Sequence, residues 1–222
     1  MAGAGTGTAI GETSGPTSIV NMALCRIGAP TVNEYETDSS VPAQKARLFY
    51  VPERQALIRR HWFRFAASRA VLAESTTAPT CGFDSQFALP TGFLALRYII
   101  DPNSGEPCTV SPDTYAIEGN YILTNESEVE IVYSADVTDT AAFDPLFQKL
   151  LVTTLALDLI YPLAKLAAVG AADRIKAELD ELLVRVKMMD MAEQNLVGRD
   201  SRRTWLGARR GYGGVDPAHL GS

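Results

Sequence analysis

The sequence predicts an α+β protein: mainly an α-helical bundle, with a small antiparallel β-sheet inserted between its helices and a flexible C-terminal arm. Three observations carry this. Residues 143–196 read with a helical period throughout, residues 76–139 switch to short β-branched runs punctuated by Pro and Gly, and residues 198–222 lose all period while gaining arginine and glycine. The chain divides accordingly into a disordered lead (1–16), a bundle built from 17–75 and 140–197, a β insertion (76–139) and an extended basic arm (198–222).

The lead, Met1 to Pro16, is Gly, Ala, Ser and Thr with one acid and neither a basic residue nor an apolar core, so it is no signal peptide. Its Gly3-x-Gly5-x-Gly7 spacing follows no strand and is read as disordered, not as a phosphate loop. Thr17 or Ser18 is expected to cap a first helix with Ile19, Val20, Ala23, Leu24 and Ile27 on one face, ended by Gly28 and Pro30. Ser39 or Ser40 caps a second, which Pro52 is expected to break or bend, with Leu57 and Ile58 inward and Arg54, Arg59 and Arg60 outward. The cluster from His61 to Ala66 follows. Its Trp62, Phe63 and Phe65 are structural anchors, since each buries about 150 to 250 Å².

Short strands are expected at 87–89, 93–100, 107–110, 115–117, 121–124 and 129–133, with Gly119-Asn120 as a two-residue hairpin turn. Asp144 and Pro145 then offer an N-cap and first position for a helix that is apolar nearly all round. Lys149, Asp158, Pro162 and Lys165 interrupt the run, so it reads as a core helix and not a membrane span, with a kink near Tyr161. Gly170 is expected to end it. The next helix places Ile175, Leu179, Leu182, Val186, Met189 and Leu196 along one narrow seam, with Glu181 and Arg185 paired on the wet face.

Charge is unevenly spread. The chain carries −6 overall, yet residues 198–222 hold five arginines against two aspartates, a balance of +3 that leaves −9 on residues 1–197. An acidic body argues against a general nucleic-acid binder. The arm combines arginine with isolated aromatic and apolar residues, the composition of a segment that orders on a partner. Arg199, Arg202, Arg203, Trp205, Leu206, Arg209, Arg210 and Tyr212 are its candidate contacts.

Chemistry is poorly represented. Cys25, Cys81 and Cys108 are odd in number and lack C-x-x-C spacing, so neither a disulfide framework nor a metal site is indicated, and no cofactor motif appears. The two histidines, His61 and His219, are not accompanied by G-x-S-x-G or H-E-x-x-H, and no catalytic residue is assigned. Asp158 is the one acid in an apolar helix. It is expected to pair with an arginine such as Arg26 or Arg69, or to face a neighbouring subunit; with Leu151 and Leu155 it forms the candidate subunit interface.

Taken in order, several landmarks resemble the tail adaptor family of short-tailed bacteriophages, the tail tubular protein A family. They are Ile19 to Gly28, Ala46 to Tyr50, Ala56 to Trp62, Phe65-Ala66 with Arg69 and Leu72, Phe87 to Pro90, Tyr115 to Thr124, Ile131 to Asp139 and Phe143 to Leu146. The resemblance spans about residues 17–195. It implies a structural virion protein that forms a ring of twelve copies between the portal and the tail nozzle, with DNA passing through unbound. No membrane is involved, and the protein would be assembled in the host cytoplasm into the virion tail. The arm matches no motif of the family, and its role as the portal-docking segment is assigned from composition. Two alternatives stand beside this reading: a virion-associated cell-wall glycan hydrolase, and a nucleic-acid binder acting through the arm.

Overall fold

The computed structural model describes residues 15–80, 82–100, 115–164 and 169–197, with side chains described as far as 163 and again from 170 to 189. Among the described residues four α-helices, α1 (Pro16–Arg26), α2 (Val41–Arg60), α3 (Pro145–Ala164) and α4 (Val169–Val197), accompany six strands. The strands are β1 (Ala67–Val71), β2 (Ser85–Ala88), β3 (Phe93–Ile100), β4 (Tyr115–Glu118), β5 (Tyr121–Thr124) and β6 (Glu130–Ala135). The fold is therefore mixed α+β, as the sequence predicts. The arm, the lead before Gly15, the expected strand at 107–110, Cys81 and Cys108 lie outside the described residues.

α3 is the axis of the bundle, packed against α1, α2 and α4. Its Phe147, Leu150, Leu151, Leu155, Leu159 and Ile160 are all enclosed, which explains a helix apolar on nearly every side. By length and composition Pro145–Leu163 could cross a membrane; here it is the core helix of the bundle. Asp144 opens it, its Oδ1 accepting from the Leu146 N–H at 2.8 Å.

α1 differs from expectation at its start. Gly15 is its N-cap without a side-chain bond, because Thr17 is occupied elsewhere: its hydroxyl donates to Glu34 at 2.9 Å and accepts from the Tyr35 N–H at 3.1 Å. Gly28 closes the helix at φ 68°, a conformation that favours glycine. α2 runs unbroken through Pro52, which lies with Leu48 on the exposed side of the helix. Pro162 is likewise carried on the exposed side of α3. Gly170 is no terminator, since it falls in the first turn of α4. Along that helix Ile175, Leu182 and Val186 are buried and Leu179 half-buried, whereas Met189 is exposed.

Two three-stranded antiparallel sheets replace the single expected one, in orders β1-β6-β3 and β2-β5-β4. β1 begins at Ala67, ahead of the insertion drawn from sequence, and pairs Ala67 with Ser134 through Val71 with Glu130. β4 and β5 form the hairpin read from Gly119-Asn120, with Glu118 opposite Tyr121 and Gly119 at φ 56°. Leu72, Phe87, Ile122, Val129, Ile131 and Tyr133 form a second core shared by the sheets.

Candidate functional site

Two polar junctions tie the elements together. At the first, the Arg54 guanidinium of α2 donates through Nη2 to both oxygens of Asp136, at 2.8 and 3.0 Å, and Gln55 donates to the same carboxylate at 2.7 Å. Arg54 is only 5% exposed, which corrects its expected outward placement. Its wheel position explains this: with Ala43, Ala46, Tyr50 and Leu57 it follows the 3–4 spacing of the buried stripe. Asp136 directly follows β6, so this pair fastens the sheet to the bundle.

At the second, Arg97 of β3 donates to the carbonyls of Ile58 (3.0 Å) and His61 (2.6 Å) and through Nε to Ser134 Oγ at 2.7 Å. It thereby serves carbonyls at the C-terminal end of α2, where a cation is favoured. Its guanidinium also lies over the Trp62 ring, 5.5 Å from the centroid, and Trp62 meets Tyr98 at 5.7 Å. Phe63 and Phe65 turn the other way. Both rings contact Phe147 at 4.9 Å, and Phe65 also meets Phe143 at 5.5 Å. The three aromatics therefore sit between sheet and bundle, and Trp62, Phe63 and Phe65 also line a cavity of about 200 Å³ shared with Asp144, Val186 and Met189. His61 is buried, its pKa held below the ordinary value by burial and then by the charges of Arg60, Lys187 and Arg97.

Asp158 stands apart. It lies half-buried on α3, and one carboxylate oxygen, Oδ2, is enclosed without accepting a hydrogen bond. Burial, with a smaller contribution from the Glu53 charge of α2, pushes its carboxyl up to about 6. Glu53 is itself raised by burial. The expected arginine partners are not there. Arg26 is committed to Glu178 at 2.9 Å and Thr153 Oγ1 at 3.1 Å, with Lys149 also reaching Glu178 at 3.4 Å, while Arg69 is exposed on β1. Hydrogen bonds from Arg26, then the Arg26 and Lys149 charges, hold the Glu178 carboxyl below its ordinary value.

The other two residues of the candidate interface move out of it. Leu151 and Leu155 are 0% exposed, packed inside their own protomer, and present no surface to another subunit. What α3 does show to solvent is a stripe at helical spacing: Thr154, Leu157 and Asp158 half-buried, then Tyr161 at 73% exposure. A separate open groove of about 1070 Å³ runs between α1 and the start of α3, past Asn21, Cys25, Glu34, Gln148 and Lys149. The arm residues Arg199, Arg202, Arg203, Trp205, Leu206, Arg209, Arg210 and Tyr212 lie outside the described residues.

Among the described residues no group of three or more His, Cys, Asp or Glu is placed to hold a metal ion. What the Asp158 region offers is two half-buried carboxyl groups, with no counter-charge on Asp158 from the described residues. Such a site can retain a proton near neutral pH or accept a cation. No family model matches this sequence, and no curated protein is similar to it.

Proposed function

We propose that this chain is a structural subunit of a phage tail adaptor, a ring that joins the portal to the tail nozzle and forms part of the DNA ejection conduit. The ordered landmarks over about residues 17–195 support the family reading. The observation that carries the subunit role is the α3 stripe, where among the described residues an enclosed Asp158 oxygen accepts no hydrogen bond and Tyr161 is exposed. An acidic body of −9 suits a conduit, because it repels DNA phosphates and lets the duplex slide. The +3 arm supplies a tethered contact whose modest affinity multiplies around a ring.

The test is co-sedimentation and electron microscopy of the purified chain with portal rings, with and without residues 198–222. The full chain is expected to decorate the portal, and the truncated chain to stay folded and unbound. Undiminished binding after truncation overturns the arm's role, and failure of the full chain to bind overturns the adaptor reading.

A second reading, a virion-associated glycan hydrolase, is favoured by one observation: Asp158, with its carboxyl near 6 beside Glu53, has the properties of a general acid. It requires Asp158→Asn to eliminate turnover of cell-wall glycan. Glycan turnover that is absent from the unaltered chain removes this reading.

A further inference from the structure

The aromatic cavity between sheet and bundle is built to take a ring. Phe63 and Val186 on its wall are buried, whereas Met189, Ala142 and Arg64 are exposed, so it runs from the core out to solvent. Trp62, Phe65 and Leu146 complete the apolar lining. Its charged groups are one carboxylate, Asp144, and one guanidinium, Arg64, which leave no net charge to select an ion. Walls of this kind select an uncharged aromatic group. An apolar cavity of about 150 Å³ already takes up benzene. At about 200 Å³ this one has room for the larger indole. A buried indole also needs an acceptor for its N–H, and the Asp144 carboxylate stands on the wall.

The chain has two tryptophans, of which Trp62 belongs to the wall and Trp205 lies in the arm. Outside the described residues, the Phe, Tyr and Trp side chains are those of Trp205 and Tyr212 alone. α4 meets the cavity at Met189 and has eight residues still to run to Val197, about 12 Å of helix axis. Trp205 comes eight residues after Val197, a length that spans about 26 Å when extended, twice what a return to Met189 requires. Gly198, the first residue past the helix, is the type that reverses a chain at least cost. Tyr212 would close a longer loop with a smaller ring.

We propose that this cavity is the docking site of the chain's own arm and takes the Trp205 indole, with the arginines on either side left in solvent. Because the ring is tethered, its effective concentration is in the millimolar range, and modest affinity keeps it seated. The docking does not rest on the adaptor reading. Under that reading it adds a condition, since a portal that binds the arm must compete with the cavity for Trp205.

The full chain labelled with fluorotryptophan tests this by fluorine NMR, its two resonances assigned with Trp205→Phe. A soluble paramagnetic chelate reports the exposure of each ring. With the docked state about nine-tenths populated, the Trp205 resonance is expected to broaden about tenfold less in the native chain than in the chain unfolded by guanidinium. Ala142→Phe puts a phenyl ring at the mouth of the cavity, and Met189→Lys puts a charge there. Both positions are exposed, and thermal melting by circular dichroism checks that each variant folds. Each is expected to restore at least about half of the lost broadening. A Trp205 ring as accessible in the native chain as in the unfolded one overturns the docking, and so does protection that both variants leave unchanged. Protection that grows with chain concentration from about 10 to 300 µM places the arm of a second copy in the cavity and overturns docking within one chain. Portal decoration keeps the two readings apart: decoration by a chain whose Trp205 is accessible sinks the docking alone, and a protected Trp205 without decoration sinks the adaptor reading alone.

Discussion

Replacing Asp136 by alanine is the most direct probe of how the sheet is held to the bundle. The carboxylate accepts three hydrogen bonds, two from Arg54 and one from Gln55, at 2.7 to 3.0 Å. Taken singly, bonds to a charged group are worth about 1.5 to 3 kcal/mol, but three that share one carboxylate do not add. The larger effect is on what remains. Arg54 is 5% exposed, so removing Asp136 leaves a guanidinium in the interior without its counter-charge, a change that costs about 3 to 5 kcal/mol in comparable sites. The Asp136 side chain is 16% exposed and water will relieve part of this, so we expect about 3 kcal/mol. In a chain of this size that lowers Tm by roughly 6 to 12 °C. Chemical denaturation of Asp136→Ala, Arg54→Met and the double variant gives the test. The double variant should be more stable than Asp136→Ala alone, because it no longer buries an unpaired charge. A loss below about 1 kcal/mol for Asp136→Ala, or strict additivity, refutes the reasoning.

Phe147→Ala removes the ring that Phe63, Phe65 and Phe143 all contact at 4.9 Å, and unfolding measurements should show a loss of about 3 to 5 kcal/mol. Gly119→Ala meets no atom within 4 Å, so its cost is the backbone strain at φ 56° alone, about 1 kcal/mol in urea titration. Asp158→Asn should stabilise the dilute protomer at pH 7 to 8. Its carboxyl rises from an ordinary 3.8 to about 6, so the folded state holds the proton more tightly than the unfolded chain, and stability falls as pH climbs through that window. The full linkage of roughly 3 kcal/mol is reduced by solvent screening at this half-buried site to about 1 kcal/mol. The gain should vanish below about pH 4; urea titrations at pH 4 and 8 that show equal gains contradict the assignment.

Features carried by local periodicity were legible in the sequence. The stop at Gly28, the start at Asp144-Pro145 and the hairpin at Gly119-Asn120 each depend on a few adjacent residues, and each is where the sequence places it. β1 was not legible. Ala67-Ser-Arg-Ala-Val71 has little strand character of its own and is a strand because it pairs with β6, more than sixty residues later. Gly170 misled for the opposite reason: glycine is a common helix stop, but a stop requires the left-handed conformation, and this one lies in a helical turn.

The charged positions separate the legible from the illegible most clearly. Arg54 read as outward because arginine usually is, although its spacing from Ala46, Tyr50 and Leu57 puts it on the buried stripe. Spacing was the better guide, and an arginine at a core position implies an acid to be sought elsewhere in the chain. The same rule applied to Asp158 predicted an arginine, and the fold assigns Arg26 to Glu178 instead. Among the described residues, Arg54 thus finds its partner and Asp158 does not. That difference appears only when the helices are assembled, because it depends on which side of α3 each neighbour occupies. An arginine at Arg54 without Asp136 would be an error of folding, whereas a half-buried carboxyl at Asp158 is tolerable because burial lets it keep its proton up to about pH 6.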